Sequence, residues 1–154
     1  MANHAGGISI IAFVVAVAVS MGYYQFFYLP EANAKPHVSE KVLNPRGSTE
    51  IQIVEGAVLE TNTRNFIPKD ARGVLELSNK VVWTNNDGTP HTITSDNSYV
   101  DQINGEFDST IKLGTLVAPG KTFEFTFTEE GKYAYHCTPH PHMKGMVEIV
   151  PNFA

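Results

Sequence analysis

Tyr133–Met146 reads Tyr-Ala-Tyr-His-Cys-Thr-Pro-His-Pro-His-Met-Lys-Gly-Met and holds the only cysteine, three of the six histidines and two of the four methionines. In a β-strand successive side chains point to opposite faces, so Tyr133, Tyr135 and Cys137 share one face and Ala134 and His136 the other. Cys137 therefore leaves the strand's end facing the interior. His140 and Met143 follow it at Cys-x-x-His-x-x-Met spacing. Thiolate and thioether donors mixed with imidazole suit copper, and a His2Cys set with a weak axial Met is the blue-copper arrangement. One tight loop thus offers three ligands, Cys137, His140 and Met143. The fourth must come from elsewhere, and His91 in Thr-Pro-His-Thr-Ile is the best candidate. Pro139 and Pro141 restrict the backbone on either side of His140, which would hold that ligand with little reorganisation.

Each residue also has a plainer explanation. A single cysteine is most often a small buried hydrophobe, and His91, Met143 and Met146 could simply pack. Structural zinc usually takes more thiolates at a different spacing. A thiol activated by a nearby histidine would leave Met143 and the rigid Pro-His-Pro unexplained. The joint occurrence at ligand spacing favours copper. His136 points away from Cys137, which suits a structural or surface role. His142 is the alternative to His140 if the loop folds differently, and Met146 belongs to the final strand and its core.

Upstream of the loop, short β-type runs alternate with turn residues. They are Glu50–Val54, Val74–Leu77, Lys80–Thr84, His91–Ser95, Lys121–Thr128, Lys132–His136 and Met146–Val150. Phe123, Phe125 and Phe127 line one face of their run, with Thr122, Glu124, Thr126 and Thr128 opposite, and with Trp83 they read as core. Asn85-Asn86-Asp87-Gly88 is a turn cluster. Asp96–Gly114 is irregular and polar, a long surface connection with at most a short helical turn. This pattern predicts an all-β Greek-key sandwich of seven to eight strands.

The N-terminus is different in kind. Residues 1–30 contain no Asp, Glu, Lys or Arg, and Ile8–Leu29 is an uncharged run of 22 residues. A membrane-spanning helix needs about 20 mostly apolar residues. Tyr23, Tyr24, Phe26, Phe27 and Tyr28 gather at its far end like an interfacial aromatic belt, and Pro30 is expected to stop the helix. A cleaved signal peptide is the competitor, with Ala32-Asn33-Ala34 as a small-x-small site, but the run is long for one and lacks an N-terminal Lys or Arg. Either way the following domain is sent across a membrane. The expected organisation is residues 1–30 as hydrophobic helix, 31–47 as a Pro-containing linker and 48–154 as the sandwich. His4 and His37 are expected to be solvated. The net charge of −5 without a Lys/Arg cluster argues against nucleic acid, and a lone cysteine excludes an internal disulfide framework.

Tyr135-His136-Cys137-Thr138-Pro139-His140-Pro141, followed by Met143 and Gly145, resembles the amicyanin copper loop, within the plastocyanin/azurin family of cupredoxins. Trp83-Thr84-Asn85 with Pro90-His91 resembles the same family, and the similarity covers roughly residues 50–150. The resemblance implies a cupredoxin β-sandwich with one type 1 copper on His91, Cys137 and His140 and Met143 as the weak axial ligand. It also implies single-electron shuttling between redox partner proteins outside the cytoplasm. The expected protein is an electron carrier rather than an enzyme, docking transiently through an exposed patch around Pro139, Pro141 and Met143. His142 and Lys144 would tilt that patch toward an acidic partner. Its expected place is extracytoplasmic, membrane-anchored through residues 8–29 or exported, in a periplasm or at a cell surface. Two rivals are a copper enzyme whose open axial site takes a small molecule such as nitric oxide, and copper storage or delivery. The stiff loop fits storage poorly, and nothing in the sequence offers a substrate pocket or an acid/base pair.

Overall fold

The computed structural model describes residues 4–32 and 37–153, and the chain divides into two units, Met1–Pro36 and His37–Ala154. In the first, α1 (His4–Tyr23) passes through a π-helical turn (Tyr24–Tyr28) into α2 (Leu29–Ala32). Pro30 does not stop the helix as expected. Proline cannot donate to the carbonyl four residues back, and here the turn before it shifts to a five-residue step, with Leu29 N–H donating to Tyr24 O. Such π-turns relieve a local break in the helical ladder. Ile10–Glu31 is long and apolar enough to cross a membrane. Asn33 and Ala34 of the small-x-small motif, and the side chain of His4, lie outside the described residues.

In the second unit, alternation builds the sheets. One is ordered β2 (Phe66–Ile67), β1 (Ser48–Ile53), β4 (Lys80–Asn85), β8 (Thr122–Thr126). The other is ordered β3 (Asp70–Val74), β10 (His140–Val150), β9 (Gly131–Cys137), β5 (Thr94–Ser95). β1–β4 and β3–β10 are parallel pairs and the other pairs within these two sheets are antiparallel, so the chain crosses repeatedly between sheets. Ten strands are present among the described residues against the seven to eight expected. The surplus consists of two-residue pieces, including the hairpin β6 (Val100–Asp101) and β7 (Gly105–Glu106), too short to show a period of two. One expected strand, Val74–Leu77, lies one turn earlier: pairing ends at Val74, and Leu77 and Ser78 N–H turn back onto Val74 O.

The inward faces of the two sheets form one apolar core. Ile51, Ile53, Val81, Trp83, Phe123 and Phe125 come from the first sheet, and Tyr133, Tyr135, Cys137, Val147 and Ile149 from the second. Trp83 meets Tyr135 edge-on at 5.5 Å between ring centroids, joining the two layers. Edge-on aromatic pairs contribute about 0.5–1.5 kcal/mol beyond their buried area. Met146, expected in the core, is half-buried on β10.

Two boundaries differ from expectation. Residues 37–47, expected as linker, belong to the globular unit: α3 (Glu40–Leu43) buries Val42, whose carbonyl accepts Asn79 Nδ2 at 2.7 Å. A single anchoring side chain leaves no periodic trace. The long connection after Asp96 is better ordered than its polarity suggests. α4 (Ser109–Leu113) is capped by Asp108, which accepts from Thr110 and Ile111 N–H, and Gly114 closes it in the left-handed region at φ 68°.

Gly145 lies directly under Tyr135, paired with it across β9 and β10. A Cβ there would come within 2.5 Å of Tyr135 Cζ. Gly145→Ala is therefore expected to lower unfolding free energy by about 1–3 kcal/mol, the range for overpacking a core, measured by urea denaturation.

Candidate metal centre

The last residue of β9 and the first of β10 face each other: Cys137 pairs with His140 across a two-residue turn, Thr138-Pro139. β9 alternates as expected, with Tyr133, Tyr135 and Cys137 buried. The pairing of β9 and β10 is irregular between His140 and Lys144, where the Pro-His-Pro sequence interrupts a normal ladder, since proline supplies no N–H. This irregularity leaves Met143 fully buried in the core and His140 only half-buried.

His91 reaches the same place from the other sheet. It follows the turn after β4, and its backbone pairs mutually with Val117, N–H to O at 3.1 and 2.9 Å. Asn85 builds that turn from inside: its Nδ2 donates to Thr89 O and Val117 O, both at 2.9 Å, and its Oδ1 accepts Asp87 N–H at 2.9 Å. Asn85 is fully buried, and a buried amide is tolerated because all these bonds are made.

The donor atoms converge. Cys137 Sγ lies 3.6 Å from His91 Nδ1 and 3.5 Å from His140 Nδ1, and all three ligating atoms lie within 4.8 Å of one another. The sulfur also accepts Thr92 N–H at 3.3 Å. Asn85 is committed to its own turn and gives the sulfur no donor. The Thr92 hydroxyl accepts Thr138 N–H at 2.7 Å, fastening the loop after Cys137 to the strand after His91. One cysteine sulfur and two imidazoles, all but the half-buried His140 fully buried and without a carboxylate among them, fit copper and fit structural zinc poorly. Burial, together with the neighbouring His91 and His142, pushes the His140 imidazole down from its ordinary value against the opposing pull of Asp87. That favours the neutral ring a metal requires.

The remaining expected residues sort clearly. His142 is not in the cluster; its Nε2 donates to Ala57 O at 3.2 Å. His136 points outward and its Nδ1 lies 2.5 Å from Asp96 Oδ1. Met143 is fully buried, so it is no part of an exposed patch with Pro139 and Pro141. Asp87 was missed as a contributor. Its Oδ2 lies 2.9 Å from His91 Nε2. Burial raises its pKa, but hydrogen bonds from His91 and from the N–H groups of Gly56, Gly88 and Val58 outweigh that and hold the carboxyl below its usual range. An acidic residue four positions before a candidate ligand, inside a turn cluster, was the available signal.

A sandwich that brings a buried thiolate and two imidazoles together at one end defines a cupredoxin-type copper protein. Residues 56–150 match the copper binding proteins of the plastocyanin/azurin family. The chain belongs to that family, which binds a single copper. Amicyanin from Paracoccus denitrificans is 35% identical over 75 residues, 49% of this chain and 52% of that protein, so the chain spans about half that relative's length. Amicyanin-alpha from Methylorubrum extorquens is 29% identical over 105 residues, 68% of this chain and 74% of that protein. The solved structure of a purple cupredoxin from Nitrosopumilus maritimus matches with a TM-score of 0.52 at 28% identity, covering 67% of this chain and 100% of that one.

Asn85→Ala would leave Thr89 O and Asp87 N–H unpaired and take from Val117 O one of its two donors, the other being His91 N–H. The expected cost is about 2–4 kcal/mol, read by denaturant unfolding, with weakened copper retention because His91 follows the damaged turn.

Proposed function

We propose that this chain is a one-electron carrier whose copper is held by His91, Cys137 and His140, with Met143 as the weak axial ligand. The observation that carries this is the convergent donor set: Sγ and two Nδ1 atoms face one another, and hydrogen bonds to protein hold the sulfur and the loop after it. Copper, when bound, supplies a Cu(II)/Cu(I) couple. Thr92 N–H stabilises negative charge on the Cys137 sulfur, and the packed walls and paired backbone keep the donors in place in both oxidation states. His91, Cys137 and Met143 are fully buried and His140 is half-buried, which makes the His140 ring the electron port. Exposed Pro139, Pro141 and Lys144 surround it and suit brief docking with an acidic redox protein. The apolar Ile10–Glu31 helix supports an extracytoplasmic domain tethered to, or exported across, a membrane. The likeness to a cupredoxin described as purple favours one alternative, an axial position left open to a small molecule such as nitric oxide, because the thiolate–copper colour responds to axial donation.

The Cu(II)-loaded chain should give an intense thiolate-to-copper band and narrow copper hyperfine splitting, both unchanged by nitric oxide, and Cys137→Ser should abolish the band. A band that moves with nitric oxide would replace the closed-site reading with the open one. In stopped-flow transfer to an acidic redox protein at low ionic strength, Lys144→Glu should slow the bimolecular step about threefold and flatten its salt dependence.

A further inference from the structure

Asp87 supplies no ligand, yet its carboxylate is spent entirely on the surroundings of the site. Oδ1 accepts Gly56 N–H at 2.9 Å and Gly88 N–H at 2.8 Å. Oδ2 accepts Val58 N–H at 3.3 Å and lies 2.9 Å from His91 Nε2. Between Gly56 and Val58 sits buried Ala57, and its carbonyl is the atom that His142 Nε2 reaches at 3.2 Å. His142 is two residues beyond His140. A continuous path therefore runs from His91 through Asp87 and residues 56–58 to the loop that carries His140.

We infer that Asp87 is the positioning residue for both histidine arms of the copper site, acting directly on His91 and, through residues 56–58 and His142, on His140. The inference rests on the copper reading proposed above. A carboxylate oxygen can only accept, so His91 Nε2 carries the hydrogen and Nδ1 turns its lone pair toward Cys137 Sγ. The fixed negative charge behind the ring raises the basicity of Nδ1 and favours Cu(II) over Cu(I). The same logic sets His142: the Ala57 carbonyl accepts, so Nε2 donates, and the ring ties the far side of the ligand loop to a segment that Asp87 already holds. A carboxylate that merely stapled its own turn would need Gly88 and nothing else. Here it binds residues 31 and 29 positions back in the chain.

Asp87→Asn is the informative change, since its amide oxygen can still accept from Gly56 and Gly88 while the charge and the acceptor for His91 are lost. In the full chain, Cu(II) affinity should fall about tenfold relative to Cu(I), the lower end for outer partners of a metal ligand, raising the one-electron potential by about 59 mV. His142→Leu should shift the potential in a smaller amount, His142→Gln should restore it, and the Asp87→Asn/His142→Leu pair should be non-additive, as for residues on one network. An unchanged potential in folded Asp87→Asn, or strict additivity in the pair, would overturn the inference. A second arm needs neither variant nor copper: nitrogen-15 NMR of the metal-free wild-type chain should show the Nε2 of His91 carrying a hydrogen bonded to Asp87, and a hydrogen-free Nε2 would sink the proposal. Absence of a thiolate band in the copper-loaded wild type would fail the electron-carrier reading instead, and the NMR arm would still decide the role of Asp87.

Discussion

Side-chain parity along β9 is the constraint on which the site depends. Tyr133 and Tyr135 must face inward to fill the space between the sheets, and the same alternation commits Cys137 to the interior at the strand's last residue. A slip of one residue would expose the sulfur and bury His136 and Lys132. Register here is fixed heavily: Trp83 contacts the Tyr135 ring from the opposite sheet, and Gly145 clears the space beneath it. The thiol is thus located by packing that has nothing to do with metal.

Its partners come from two directions. His140 begins β10, directly across from Cys137 in the second sheet, while His91 follows β4 of the first. The donor set exists only where the sheets are closed on one another, so sandwich formation and site formation are one event. Polar residues carry the join: Asn85 shapes the turn before His91, Thr92 spans from sulfur to loop, and Ser109 exchanges hydrogen bonds with Ile93 on the far side. Buried polar groups are costly when unpaired, which makes such a lattice stiff once complete.

Much of this was legible in the chain, for a physical reason. Long strands with a buried face carry a period of two, so Lys121–Thr128 and Lys132–His136 announced themselves, and the ligand types Cys137, His140 and His91 announce a chemistry. What escaped notice lacks a period or a distinctive composition. Val42 anchors residues 37–47 by one side chain and one carbonyl. The two-residue strands exist only through their partners. Asp87 looked like a turn former, since an Asn-Asn-Asp-Gly cluster says where a chain bends and not what its carboxylate faces. The sulfur's hydrogen-bond donor, a backbone N–H of Thr92, leaves no mark in sequence, because every residue but proline has one.

Many small metal sites are assembled by the ion itself, whose binding energy is then folding energy. Here the protein's own bonds also hold the donors. The three ligating atoms already lie within 4.8 Å of one another, and each arm is held by bonds to protein: His91 through its backbone pair with Val117, Cys137 by β9 and Thr92, and His140 by the tight turn from Cys137 and the prolines beside it. Donors fastened to the frame by such bonds resist the different geometries that the two copper oxidation states would otherwise prefer. Little then has to move when an electron arrives or leaves. The rigidity that hides the sulfur inside a β-sandwich is accordingly the same property that suits such a site to carrying electrons, and of its three donor residues only His140 is half-buried rather than fully buried.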